Sequence, residues 1–164
     1  NKQYWKLPIL YGLVGTGLML ALSALLVAAA WLWIPAPLVE NPVQTELLYI
    51  QVDSGTHGMV RWKPKTMVER QTARAIVDHM ATLHKKNTLC PAHKALEGRP
   101  NMYIHFRTED SYQVVALQVG GQRRGVSYPR DGGGLALAAQ VLQPQDLEAY
   151  VLAQIHGALS GESL

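Results

Sequence analysis

The chain has 164 residues, of which 48% are hydrophobic and only 16% are charged, with 15 Lys and Arg residues against 12 Asp and Glu residues. This length accommodates one domain with an appendage, which excludes two full-sized domains and a multi-spanning membrane protein. The single cysteine, Cys90, excludes a disulfide-stapled scaffold, and the apolar content excludes a disordered chain. The nearly balanced charge argues against nucleic-acid binding. Two unlike parts make up the chain, because no charged residue lies between Lys6 and Glu40.

Residues 9–34 form a continuous apolar segment near the N-terminus. As a helix it would be about 39 Å long, which exceeds the roughly 30 Å of a bilayer's hydrocarbon core. Pro8 stands where a helix begins and Pro35 where it must stop, while Trp31 and Trp33 match the aromatic residues found at membrane interfaces. The segment predicts a transmembrane helix preceded by a short stub, residues 1–8.

A cleaved signal peptide is the alternative for this segment, with the small residues 28–30 as a cleavage site. A signal peptide has an apolar core of about 7–15 residues, however, and this segment is longer. Lys2 and Lys6 precede the helix and Glu40 and Glu46 follow it. The positive-inside rule then predicts a single-pass protein of the cell membrane, with its N-terminus in the cytoplasm and its C-terminal domain outside.

The lipid bilayer is the first partner that this part of the sequence predicts. Within the helix, Gly17, Ala21, Ala24 and Ala28 form a stripe of small residues. A second transmembrane helix can pack closely against such a stripe, although Gly and Ala are also common in any transmembrane helix.

Residues 35–45 contain three prolines and predict a stiff, extended stalk. Residues 46–164 then form the outer domain. A strand over 46–53, a turn and a second strand over 59–63 predict a hairpin. Thr66 and Glu69 fit a capping box, which marks the start of a helix. The helical spacing of the apolar residues predicts that this helix continues to about residue 86. Six residues of this helix are predicted to face inward: Met67, Ala73, Ile76, Val77, Met80 and Leu83.

The second half of the domain begins with a predicted loop over residues 87–100. Alternating residues predict strands over 102–108, 112–119 and 124–128, and residues 135–142 fit a strand or a helix. Along 102–108 the alternation predicts that Met102, Ile104 and Phe106 face inward and that Tyr103, His105 and Arg107 face outward. A last helix starts at about residue 143, with Leu147, Tyr150, Val151, Gln154 and Ile155 facing inward. The order β-β-α-β-β-β-(β)-α predicts an α+β domain, in which two helices pack on one face of an antiparallel meander sheet.

Two segments of the outer domain carry a resemblance to other proteins. They are residues 66–86, with Ala75-Ile76-Val77 and Met80 on the helix, and residues 103–119, which form a strand, a turn and a strand. They resemble uncharacterised membrane-tethered extracytoplasmic α+β domains of Gram-positive, Firmicute-type bacteria. The resemblance implies a domain held outside the membrane. The resemblance implies no catalytic or binding residue in this chain.

The first candidate for chemistry is Asp53, in the sequence Asp53-Ser54-Gly55-Thr56 at the end of a strand. A strand that ends in this way resembles the catalytic turn of retroviral-type aspartic proteases, in which two copies each contribute one aspartate. The same residue types are also common in an ordinary hairpin turn. A membrane-tethered dimeric protease that uses Asp53 is therefore the alternative function.

The second candidate is a zinc site made from Cys90 and His93, with His79 and His84 nearby in sequence. Two ligands do not complete such a site, and His79 and His84 are five residues apart, which separates them by about 140° around a helix. We therefore expect no metal and no other cofactor. The sequence predicts a non-catalytic domain that binds or senses a ligand, or belongs to an envelope complex.

Overall fold

The computed structural model describes residues 6–56, 58–96, 98–118 and 124–161, without the side chains of 133–135 and 159–161. It divides into two compact units, Asn1–Ile34 and Pro35–Leu164. The first contains helix α1 (Lys6–Trp33). The second contains eight strands and two helices: β1 (Ala36–Pro37), β2 (Glu46–Asp53), β3 (Met59–Trp62), α2 (Met67–Thr82), β4 (His84–Pro91), β5 (Met102–Arg107), β6 (Tyr112–Gln118), β7 (Arg124–Pro129), β8 (Leu137–Val141) and α3 (Pro144–Gly161).

Helix α1 is long and apolar enough to cross a membrane, a property that membrane anchors and signal sequences share. Its large side chains are exposed rather than packed within the unit. The two hydroxyl side chains in its middle do not need water, because Thr16 donates a hydrogen bond to the carbonyl of Gly12 and Ser23 to that of Met19, each at 2.8 Å. This pairing removes the cost of polar groups in an apolar environment.

The eight strands form one antiparallel sheet in the order β1-β4-β8-β7-β6-β5-β2-β3. Strands β5 to β8 make the predicted meander. The β2–β3 hairpin joins this meander at β5, and β4 joins it at β8. The α+β class, the apolar helix and the antiparallel sheet with helices are therefore confirmed.

Helices α2 and α3 contribute to the main core together with the inward side of the strands. The centre of this core is fully buried and includes Ile50, Ile76, Ile104, Leu117 and Leu147. The capping box of α2 is confirmed, because the Thr66 hydroxyl accepts from the amide of Glu69 at 3.2 Å and the Glu69 carboxylate accepts from that of Thr66 at 2.7 Å. These backbone hydrogen bonds lower the pKa of Glu69.

Residues 35–45 do not form the predicted stalk. Leu38 and Val39 are only 2% exposed and belong to the main core. Strand β1 pairs with β4, the amide of Leu38 donates to the carbonyl of Leu83, and Arg74 donates to the carbonyl of Pro42. The prolines stiffen a segment that packs into the domain.

Two other predictions need correction. The predicted loop over 87–100 contains most of β4, which begins at His84, so Lys85 and Lys86 lie in a strand rather than at a helix end. Met67 and Gln154, which we expected to face inward, are exposed. Met67 is the first residue of its helix, where the chain has not yet reached the sheet.

Candidate functional site

The sheet face opposite the helices carries a group of polar and aromatic side chains, which we call the open face. Strand register fixes its members. Tyr49 of β2 lies opposite His105 of β5, Gln51 opposite Tyr103, and Arg61 of β3 opposite Gln51. In an antiparallel sheet, directly opposite residues point to the same side. Three strands therefore bring these side chains together.

The centre of the open face is a stack of three planar groups. The rings of Tyr49 and His105 are 4.1 Å apart and nearly parallel, and the guanidinium of Arg61 lies 4.5 Å from the Tyr49 ring. Because β2 lies between β3 and β5, Arg61 and His105 cover opposite faces of Tyr49. Both faces of the Tyr49 ring are thus occupied.

Tyr112 on β6 extends this stack to a second arginine. Its ring meets His105 edge-on with centroids 5.9 Å apart, and the guanidinium of Arg130 lies 4.8 Å from it. The hydroxyl of Tyr112 is 3.1 Å from Nδ1 of His105 and 3.4 Å from the hydroxyl of Tyr49. We refer to these residues as the stacked cluster: Tyr49, Gln51, Arg61, His105, Tyr112 and Arg130.

His105 is neutral in this cluster. Its side chain, which alternation predicted to point away from the helices, does so but is only 9% exposed. Both ring nitrogens have a polar neighbour, since Nε2 lies 3.2 Å from Oε1 of Gln51 and Nδ1 lies 3.1 Å from the hydroxyl oxygen of Tyr112. Burial, and then the charges of Arg130 and Arg61, lower the pKa of His105 to about 4.

The two arginines keep their charges available to a ligand. Both are exposed, and neither has a carboxylate within ion-pair distance among residues 6–56, 58–96, 98–118 and 124–161. The hydrogen bond to Tyr112 raises the pKa of Arg130, and burial raises that of Tyr112. An arginine stacked on an aromatic ring is held in a plane suited to bidentate binding of a carboxylate or phosphate.

A cavity of about 510 Å³ lies beside the stacked cluster on the same face. Its lining combines the buried residues Gly125, Val126 and Ala138 with more exposed residues at its rim, which are Thr88, Cys90, Ala95, Arg124 and Gln140. We call it the alanine pocket. Tyr103 lies between the two sites, because its ring centroid is 6.3 Å from that of His105 and the strand register places it in one row with Ala116 and with Val126 of the pocket.

Asp53, the candidate protease residue, lies at the end of β2 and is exposed. Its Oδ1 accepts a hydrogen bond from the amide of Gly55 at 2.9 Å, which is ordinary turn chemistry. Gly55 and Gly58 have positive φ angles of 75° and 73°, as a tight hairpin requires. The second aspartate of a dimeric protease would come from another copy, so that hypothesis stays a prediction.

The metal candidates lie on α2, on β4 and in a short helix after β4. Cys90 is half-buried on β4 with its Sγ 3.6 Å from the carbonyl of Pro91, and His93 lies in a short 3₁₀ helix (Ala92–Lys94). His79 instead stacks on Tyr150 with centroids 3.9 Å apart. Within the described part of the chain, no three His, Cys, Asp or Glu residues are placed to hold a metal ion.

Sequence reasoning missed most of the stacked cluster. Alternation places Tyr103, His105 and Arg107 on the outward side of one strand, but it does not group any of them with Tyr49 or Arg61. The pairing of β2 with β5, which brings Tyr49 to His105, joins segments separated by α2 and β4. No local pattern specifies that pairing.

Comparison with models of protein families, with curated proteins and with solved structures gives no match.

Acid should weaken the domain through His105. The pKa of His105 is 6.5 in the unfolded chain, whereas in the folded domain it is lowered to about 4. Between these values the unfolded state binds more protons, so stability falls as pH falls through this window, by about 2 kcal/mol after allowance for the partly solvated ring edge. Urea unfolding of the full chain in detergent at several pH values measures this loss.

His105→Gln provides the control for that titration. The variant cannot bind the proton, so its unfolding free energy should change less between pH 6.5 and pH 4 than that of the native chain. The lowered pKa of Glu69 contributes equally to the pH dependence of stability in both proteins. Equal pH slopes for the two proteins would show that His105 titrates normally.

Proposed function

We propose that this chain is a single-pass membrane protein whose C-terminal domain lies outside the cytoplasm and binds an anionic ligand on its open face. The observation that carries the proposal is the pair of exposed arginines, Arg61 and Arg130, which are stacked on Tyr49 and Tyr112 and form no ion pair within the described part of the chain, although Asp131 is next to Arg130 in sequence. The domain acts by binding rather than by catalysis.

The location rests on the sequence around α1. Lys6 is the first residue of α1, while the acidic residues Glu40, Glu46 and Asp53 follow the helix before the next base, Arg61. This asymmetry supports a cytoplasmic N-terminus and an outer C-terminal domain. Trp31 and Trp33 support an interface at the far end of α1, as expected for a retained anchor. Packing of α1 against a second helix through Gly17, Ala21, Ala24 and Ala28 remains a prediction.

An anionic ligand is supported by the geometry of the guanidinium groups. Each arginine has five N–H donors, and stacking on a ring reduces the side-chain freedom that binding would otherwise remove. The backbone groups of β2, β5 and β6 are paired inside the sheet, so a ligand over the stacked cluster meets side chains alone. Recognition therefore depends on charge and on the positions of these side chains.

Nucleic acid is not the anion that this surface favours. Proteins that bind single strands stack bases on exposed aromatic faces. Both faces of Tyr49 are covered, and Arg130 covers a face of Tyr112. The net charge of only +3 adds little general attraction for a polynucleotide.

Intact protoplasts that express the full chain test the location and the anion together. Fluorescent dextran sulfate, which does not cross membranes, should bind to these cells and be released by salt. The double variant Arg61→Ala/Arg130→Ala should bind at least about tenfold less tightly, because it loses two charge-assisted contacts. Flow cytometry over a range of probe concentrations gives the affinities.

The matched control is Lys65→Ala/Arg70→Ala, which removes the same charge beside and on α2, away from the open face. It should bind the probe like the native chain. Binding that appears only after permeabilisation contradicts the outer location. An equal loss in both double variants contradicts the assignment of the open face.

A further inference from the structure

We infer that the ligand of the open face is an acidic glycan, whose oxyanions bind to the stacked cluster while a sugar ring occupies the alanine pocket. This inference rests on the proposed function and names its ligand class. It uses the two halves of the open face together, since one row of opposite residues, Gln51, Tyr103, Ala116 and Val126, runs across the sheet from the stacked cluster to the pocket.

The charged half of the surface selects oxyanions. Arg61 and Arg130 lie on the same cluster, joined by the hydroxyls of Tyr49 and Tyr112 only 3.4 Å apart. Planar guanidinium groups suit carboxylate and phosphate equally. A ligand that engages both arginines therefore carries more than one oxyanion, as a charged polymer does.

The alanine pocket selects a ring that is apolar on one face and polar at its edge. Its buried residues are small or apolar, and its lining also includes the side chains of Gln140 and Arg124, whereas the hydroxyl of Thr88 donates to the carbonyl of Ala138. The cavity of about 510 Å³ lies within the size range of about 300–1,000 Å³ that small-ligand sites occupy. A sugar ring has C–H groups on its face and hydroxyls at its edge, and so complements this lining.

An acidic peptide fits this surface less well. Extended peptides gain much of their affinity by adding a strand to an exposed sheet edge. Apart from Arg61 on the edge strand β3 and Arg130 after β7, the stacked cluster stands on β2, β5 and β6, which have hydrogen-bonded neighbours on both sides. A peptide lying here would leave its own amides without partners from the protein backbone.

Binding of one polymer backbone with different charges tests the inference. The probes are neutral dextran, carboxymethyl-dextran and dextran phosphate, compared with poly-glutamate of equal charge, and the protein is the full chain in detergent. We expect carboxymethyl-dextran or dextran phosphate to bind at least about tenfold more tightly than poly-glutamate. The two charged dextrans distinguish a carboxylate-bearing glycan from a phosphate-bearing one. Poly-glutamate that binds as tightly as either overturns the inference in favour of an acidic peptide.

A second variant tests the pocket separately. Gln140→Trp places a large side chain at an exposed rim position, where the fold tolerates it. The variant should bind the charged dextrans about tenfold less tightly and poly-glutamate as tightly as the native chain does. Its unfolding midpoint should not change. Unchanged dextran binding in this variant overturns the role of the pocket. Retention of all binding by Arg61→Ala/Arg130→Ala instead overturns the proposed function.

Discussion

Replacement of Ile76 by Asp should unfold the outer domain. Ile76 lies in the middle of α2 and is fully buried in the main core, where a carboxylate finds neither water nor a partner. Burial of an unpaired charge belongs to the small class of substitutions that cost more than about 4 kcal/mol, a large part of the 5–15 kcal/mol that stabilises a typical domain. Proteolysis of the full chain in detergent should cut this variant rapidly within residues 35–161.

Val68→Asp on the same helix is the matched control for this experiment. Val68 is 70% exposed, and a negative charge in the first turn of a helix is favourable. This variant should resist the protease like the native chain. If Ile76→Asp resists it equally, then the inner face of α2 has been assigned incorrectly.

Truncation of Leu38 should also destabilise the outer domain, although this residue lies in the segment that the sequence presents as a stalk. Leu38 is 2% exposed and packs in the main core. Leu-to-Ala changes at such positions cost about 2–5 kcal/mol, because they remove buried surface and leave a cavity. Urea unfolding of the full chain should show the lower midpoint with an unchanged slope.

Val43→Ala tests the same segment at an exposed position, since Val43 is 79% exposed. Its effect should stay within about 0.5 kcal/mol. If Leu38→Ala also has no effect, residues 35–45 act as a spacer in solution, and the domain begins near residue 46.

The two stability experiments and the two binding experiments test opposite sides of the sheet. Ile76 and Leu38 report on the side of the sheet that packs against helices, whereas Arg61, Arg130 and Gln140 lie on the open face and contribute little to the core. Substitutions on the open face should therefore change binding without changing the unfolding midpoint. This separation makes a loss of binding interpretable as a loss of contact.

The sequence alone determined the features that arise from residues close together in the chain. The apolar segment that forms α1 is set by composition, and the capping box of Thr66 and Glu69 involves residues three apart. Alternation along β5 and helical spacing along α2 and α3 identified Ile104, Ile76 and Leu147 as core residues. Each of these signals acts within a few residues, so no knowledge of the rest of the chain is needed.

Only the tertiary structure decided how these elements combine. Strand β1 has two residues, too few for any periodicity, and forms because Leu38 and Val39 complete the core beside it. The pairing of β2 with β5 depends on how the apolar faces of the strands pack against α2. This pairing brings Tyr49 to His105 and so creates the stacked cluster. The fold and its core could thus be outlined from local patterns, whereas the candidate site could not, because its residues meet only when strands distant in sequence become neighbours.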